Sequence, residues 1–235
     1  MCILAKERRT AGDNAGMSRT LAWMLWMLCA TAPLAAVQIA VQMMLDPRTI
    51  GEAIAIGQTR VDADRARFHG PYRLPVNKAP IDFVEIVTPF RRVALHAESR
   101  ARIGDRSFGQ RQALELLNTS PAQLDVWVEL TFHPQNNYIG VPAYEVSLIA
   151  AGGARIPPRS VERVPRYGPR VEGETLRIPV PGGIVLPGGS QPLLGGTVMA
   201  QFDGRSLNVS GAYDVVIVEG RNELGRVRMD LAKLR

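Results

Sequence analysis

The apolar positions of this chain change period along its length, and each change marks a different kind of structure. From Leu21 to Leu45 there is no period: LAWMLWMLCATAPLAAVQIAVQMML carries no charge between Arg19 and Asp46. A short basic stretch at Met17–Thr20 precedes it, and small residues cluster at Ala30, Ala32, Ala35 and Ala36. That is the order of a secretory signal, in which the positive end stays behind while the apolar core enters the bilayer. Residues 17–36 therefore read as a signal peptide or the start of a membrane anchor. The run is long enough to span a bilayer, which takes about 20 residues. Cleavage near Ala35–Ala36 and retention as an anchor are competing fates, with a lipoprotein at Cys29 as a third. Residues 1–16 fit no part of the signal and read as an upstream extension, with Met17 as the true start.

After Asp46 the pattern is mixed. Thr49-Ile-Gly-Glu52 has capping-box spacing and Gly57 reads as a stop, which predicts a two-turn helix over 50–56. The polar stretch 61–80, with Gly70, Pro71, Pro75 and Pro80, reads as an extended surface segment pinned by Phe68 and Tyr72. IDFVEIV (81–87) predicts a strand. Thr88-Pro89 then supplies an N-cap and a proline at the first helical position. Phe90, Val93, Ala94, Ala97 and Ala101 fall on one face of the helix that follows, and Gly104 ends it. A second helix is predicted over Gly109–Leu117.

From Gln123 the period becomes two. In LDVWVELTF (124–132), Leu124, Val126, Val128, Leu130 and Phe132 share one face, as in a half-buried strand. PAYEVSLIA (142–150) predicts the next strand. Residues 151–196 are rich in Pro and Gly and read as a long connection, with edge strands at 175–180 and 183–186. The C-terminal part predicts strands at 196–202, 205–210 and 212–218 and over the last stretch from Leu224, joined as a meander, with Asp203-Gly204 as a hairpin turn. The fold class that follows is α+β. Short N-terminal helices (about 46–118) precede an antiparallel β-sandwich (about 123–235), both in one exported domain over 46–235. An immunoglobulin-like topology is an option the pattern leaves open, without the Cys…Trp…Cys signature.

Composition changes this picture in two ways. Both cysteines, Cys2 and Cys29, lie at or before the end of the signal, so the exported part has no disulfide and no thiol chemistry. The net charge is +6, and arginine supplies 25 of the 28 basic residues. That bias fits a GC-rich genome, and it also fits an anionic partner. No recognition-helix, RNP-like or zinc-finger pattern is present, so nucleic acid is not an expected partner.

Candidate chemistry is sparse. His69, His96 and His133 have no metal-ligand spacing, no Gly-x-Ser-x-Gly elbow occurs, and the glycine-rich stretches lack phosphate-loop or dinucleotide motifs. No catalytic residue, cofactor or metal is assigned. Two groups remain as candidate contact residues. Arg91, Arg92 and Arg102 belong to an arginine-rich helix that could meet an anionic polymer or an acidic protein surface, or be paired with Glu98 and Asp105. His133, Asn136, Asn137 and Tyr138 lie in a loop rich in amides and aromatics, as sugar-contacting loops are. The expectation is an exported bacterial cell-envelope protein, periplasmic, secreted or anchored by residues 21–45, acting as a non-enzymatic binding or structural module. Its partner would be an envelope protein or an anionic polymer, with membrane contact through residues 21–45 alone. The alternatives are a hydrolase of envelope polymers using unidentified carboxylates, and an assembly factor acting by strand pairing.

Overall fold

A computed structural model of the chain describes residues 41–133, 136, 138–169 and 191–235. The upstream extension, the signal segment to residue 40, and the strands expected at 175–180 and 183–186 lie outside the described residues, as does Asn137.

The domain has helices and two antiparallel sheets, nine strands in all among the described residues. The helices are α1 (Pro47–Gly57), α2 (Asp62–His69), α3 (Pro89–Arg102) and α4 (Gln110–Thr119). The strands are β1 (Arg73–Lys78), β2 (Ile81–Val87), β3 (Gln123–Thr131), β4 (Glu145–Ala150), β5 (Arg155–Ile156), β6 (Ser160–Tyr167), β7 (Leu193–Asp203), β8 (Ala212–Glu219) and β9 (Asn222–Asp230). One sheet has the order β1-β2-β3-β7-β6 and the other β5-β4-β8-β9. The two parts of the chain interleave, because β1 and β2 extend the sheet that β3 begins.

The period-two pattern of β3 works as its residues require. Leu124, Val126, Val128 and Leu130 are fully buried and meet Val146, Leu148, Val215 and Ile217 of the other sheet in one core. The remaining face of β3 carries Asp125, Trp127 and Glu129, opposite Gln201, Met199 and Thr197 of β7. Gly225 of β9 keeps one flank of the sandwich closed, since a Cβ there would come within 2.9 Å of Val76 on β1.

The helices form a second apolar cluster around Ile50, Ala53, Phe90, Val93, Ala94 and Ala97, joined to the first by Phe68. They gather at one end of the sandwich because α3 leaves β2 at Val87 and α4 leads into β3 at Gln123, and Val87 lies opposite Asp125. The other end, where Ile81 lies opposite Leu130, opens into the loop from Phe132 to Tyr144.

The α3 cap follows its sequence: the Thr88 hydroxyl accepts from Arg91 N–H, and Gly104 takes a φ of 81° just past the helix. At α1 the structure corrects the expectation. Asp46, not Thr49, is the N-cap, accepting from the N–H groups of Arg48 and Thr49. Gly57 is not a helix stop. It is the last residue of α1 and lies against α3, where a Cβ would collide with the Ala94 carbonyl and reach 2.6 Å from the Ala97 methyl.

Residues 61–80 also differ from expectation. They form α2, a 3-10 turn and β1 rather than an extended segment. α2 is polar nearly all round and so shows no apolar stripe. Asp62 and Asp64 in its first turn and Arg67 and His69 in its last are placed as the helix dipole favours. Phe68 and Tyr72 do pin this stretch, their rings 5.3 Å apart.

Two further corrections concern the second half. Residues 151–196 are not merely a connection, because β6 pairs with β7 from Ser160 to Tyr167. Residues 205–210 are not a strand: a 3-10 turn at Gly204–Ser206 carries the chain from one sheet to the other. β7 and β8 therefore sit in different sheets, and the C-terminal strands are not a meander.

The last residues of the long apolar run belong to the domain. Val41 is 2% exposed within the sandwich core, and Met43 packs so tightly on Gly204 that a Cβ there would strike its sulfur. Among the described residues no helix is long and apolar enough to cross a membrane.

Candidate functional site

The basic helix comes first, because it holds the charged candidate residues. α3 points Arg91 and Arg92 into the protein. Arg91 is 2% exposed; it donates to the Ile86 carbonyl at 2.7 Å and to Glu85 at 3.0 Å, and its Nε lies 3.4 Å from His69 Nδ1. Burial pulls its guanidinium below the usual arginine range, against the pull of Glu85 in the other direction. Arg92 donates to the carbonyls of Ser120 and Gln123 and to Asp125 at 2.9 Å, which ties α3 to the start of β3.

Arg102 is exposed but paired with Glu98 at 2.6 Å, and Arg100 is paired with Asp105 at 3.1 Å. Glu98 also meets His69 Nε2 at 2.9 Å. Burial raises the Glu98 carboxyl, but the hydrogen bonds from Arg102 and His69 outweigh it and hold the group below its ordinary range. These charges are spent on fastening the helices to each other and to the sheet. A continuous basic surface through Arg91, Arg92 and Arg102 is not formed.

The loop end is arranged differently. The segment from Phe132 to Tyr144 borders an open cleft of about 560 Å³, lined by Ala79, Pro80, Thr131, Phe132, His133, Asn136, Tyr138, Tyr144 and Glu219. Three of the loop residues singled out from the sequence, His133, Asn136 and Tyr138, thus meet at one site.

Their roles separate. Asn136 holds the loop: its amide donates to the carbonyls of His133 at 2.7 Å and Leu193 at 2.8 Å, and its oxygen accepts from Tyr138 N–H at 2.9 Å. It is a positioning residue, fully engaged within the protein. Tyr138 is the displayed one, 44% exposed, with its ring set edge-on against Phe132 at 5.0 Å. Tyr144 lies beneath, almost fully buried. Burial, then Tyr138 and Glu219, push the Tyr144 phenol up, so it stays a protonated hydrogen-bonding group.

Chemically, the cleft offers aromatic and proline walls, a phenol pair and one carboxylate, with exposed Ile139 and Tyr167 beside it. The Tyr167 hydroxyl donates to the Ile139 carbonyl at 3.1 Å, which fixes β6 to the loop. Glu219, Pro80 and Tyr167 were invisible from the sequence, because they enter from a hairpin and an edge strand far along the chain.

The histidines stay apart. His69 sits with Glu98 and Arg91, His96 stacks on Phe108 with centroids 6.3 Å apart, and His133 lines the cleft. Among the described residues no group of His, Cys, Asp and Glu could hold a metal ion.

Compared with known proteins, the chain matches no family model, no curated protein and no solved structure.

Proposed function

We propose that this is an exported cell-envelope protein, periplasmic, secreted or membrane-anchored, whose sandwich is an immunoglobulin-like scaffold for a binding site at its loop end. The module holds a carbohydrate-bearing envelope polymer against Tyr138 and performs no reaction on it. The observation that carries this reading is the cleft itself. It is large enough for one or two sugar units, walled by aromatic rings, and has hydroxyl and carboxylate groups at its margin. An aromatic face with polar groups around it suits a ligand that has both apolar and hydroxyl surfaces.

The two alternatives find less support. A hydrolase of glycosidic bonds uses a pair of carboxylates across the scissile bond, and the described lining of the cleft has Glu219 alone. The short strands expected to offer an edge, at 175–180 and 183–186, lie outside the described residues, and on β6 Pro165 lies mid-ladder opposite Gly196. Proline is tolerated in such a ladder where its nitrogen faces away from the neighbour, and there it removes a donor from the edge that β6 forms among the described residues.

Co-sedimentation with purified cell-wall sacculi, with extracted envelope polysaccharide as competitor, tests the proposal. Wild-type protein is expected to be retained and to be displaced by the polysaccharide, and Tyr138→Ala is expected to lose about tenfold in affinity. Retention of Tyr138→Ala at the wild-type level, or no retention of the wild type, would overturn it.

A further inference from the structure

The exposed large apolar side chains of the described residues fall into two groups. Tyr138 lines the cleft, Ile139 and Tyr167 meet beside it, and Val164 lies on the same strand β6 as Tyr167. Met44, Val61, Ile103 and Leu114 lie at the opposite, helical end, with Ile103 76% exposed and Met44 75%. The cleft has no part in this second group.

The same end carries arginines that form no ion pair among the described residues, interspersed with the carboxylates of Asp62, Asp105 and Glu115. Arg60, Arg106 and Arg111 are exposed and make no ion pair among the described residues, unlike Arg91, Arg92, Arg100 and Arg102. Arg155, Arg163, Arg221 and Arg228 also lack an ion pair, but they lie apart, on β5, β6 and the β8–β9 hairpin. Gln58 brings the first three together: its amide donates to the Arg106 carbonyl at 3.4 Å and the Phe108 carbonyl at 3.0 Å, which sets the end of α1 beside the loop between α3 and α4. Gln110 donates to the Pro47 carbonyl at 2.8 Å, so the start of α4 adjoins the start of α1. Val61 follows Arg60 directly, and Leu114 lies one turn after Arg111 on the same face of α4.

We infer that this end of the domain is a docking surface for an anionic lipid headgroup layer. Unpaired cations interleaved with protruding apolar side chains are what an interfacial surface needs: the charges draw the surface to anionic lipid and the apolar groups enter the headgroup boundary. A soluble polyanion would engage the arginines and leave Val61, Ile103 and Leu114 without a role. The inference is independent of what the cleft holds. It adds a domain surface to the membrane contact expected of residues 21–45, and it turns the cleft away from the bilayer.

Hydrogen exchange of the full chain with vesicles tests this. Vesicles of phosphatidylglycerol and phosphatidylcholine are expected to slow exchange over residues 58–61 and 103–111 by about tenfold or more, at roughly fivefold per arginine. Vesicles of phosphatidylcholine alone are expected to leave those stretches unchanged, although the apolar run enters both. The triple variant Arg60→Glu, Arg106→Glu, Arg111→Glu is expected to lose the effect while keeping its thermal midpoint, since all three side chains are exposed. Ile103→Ser is expected to weaken it. Equal slowing by both kinds of vesicle, or no slowing by either, would overturn the inference. Equal slowing by dextran sulfate without lipid would also overturn it, and would assign the surface to an anionic polymer. Residues 136–144 are expected not to respond, so failure here and failure of the cleft reading are distinguishable.

Discussion

The two ends of the sandwich use polar side chains in opposite ways. At the helical end, α3 carries two neighbouring arginines that both turn inward, and Glu85, Asp125 and Glu98 meet the charges that face the fold. At the loop end, one amide, Asn136, fixes the backbone and leaves Tyr138 displayed. The lesson is that density of charge in a sequence does not measure charge on the surface. The arginines that look most like a binding face are structural, and the unpaired ones at this end, Arg60, Arg106 and Arg111, come from separate segments.

If that contrast holds, the largest loss of stability should come from the inward arginines. Arg92→Ala leaves Asp125 buried without its partner, and breaking one side of such a pair costs about 3–5 kcal/mol. Urea unfolding checks this, and the double change Arg92→Leu, Asp125→Leu is expected to recover much of the loss. A cost under about 1 kcal/mol, the range of exposed pairs, would mean that the pair is effectively a surface one and the contrast is false.

The α1–α3 crossing comes next. Gly57→Ala forces a methyl into the Ala94 carbonyl, and such overpacking costs about 1–3 kcal/mol. Gly51→Ala in the same helix meets only the Gln110 amide at 3.8 Å. It is expected to stabilise by about 0.5–1 kcal/mol, the helical gain of alanine over glycine. The opposite signs at two glycines of one helix sharpen the argument that close approach, not helix termination, explains Gly57.

Acid should act through the helical end. Glu98 is held below its ordinary range in the folded state, so its contribution is present above the unfolded value of about 4.3. It is lost as pH falls from there through the lower folded value. His96 is also depressed, by burial and then by Arg92 and Arg100, so its contribution fades on acidification from about pH 6.5. Glu98→Gln is expected to flatten the acid limb of a stability–pH curve, and His96→Gln to flatten the limb at higher pH.

The smallest loss of stability is expected at Tyr138. Its side chain is 44% exposed, and the packing it loses is the edge-on contact with Phe132, a kind of pair that contributes about 0.5–1.5 kcal/mol. Tyr138→Ala should therefore still fold, which makes it a usable probe of binding.

Much of the architecture can be read from the residues. The alternation of β3, the Thr88-Pro89 start of α3 and the Gly104 stop are local signals, and local physics sets them. What could not be read rests on partners distant in the chain. α2 has no apolar stripe because its neighbours hold it through Phe68, Arg65 and His69 rather than through a face. Residues 205–210 alternate as a strand would, yet the sheet ends at Asp203 and a 3-10 turn crosses to the other layer. The site was half legible. The amide- and aromatic-rich loop marked its position, while Glu219 and Pro80 had no signal, since only the pairing of β4 with β8 and of β2 with β3 brings them there.

The contrast between the ends is tested most directly by comparing Tyr138→Ala with Arg102→Ala in co-sedimentation with cell-wall sacculi. Tyr138→Ala is expected to lose about tenfold in affinity and Arg102→Ala to bind as the wild type does. Loss of binding by Arg102→Ala with Tyr138→Ala unaffected would contradict the account.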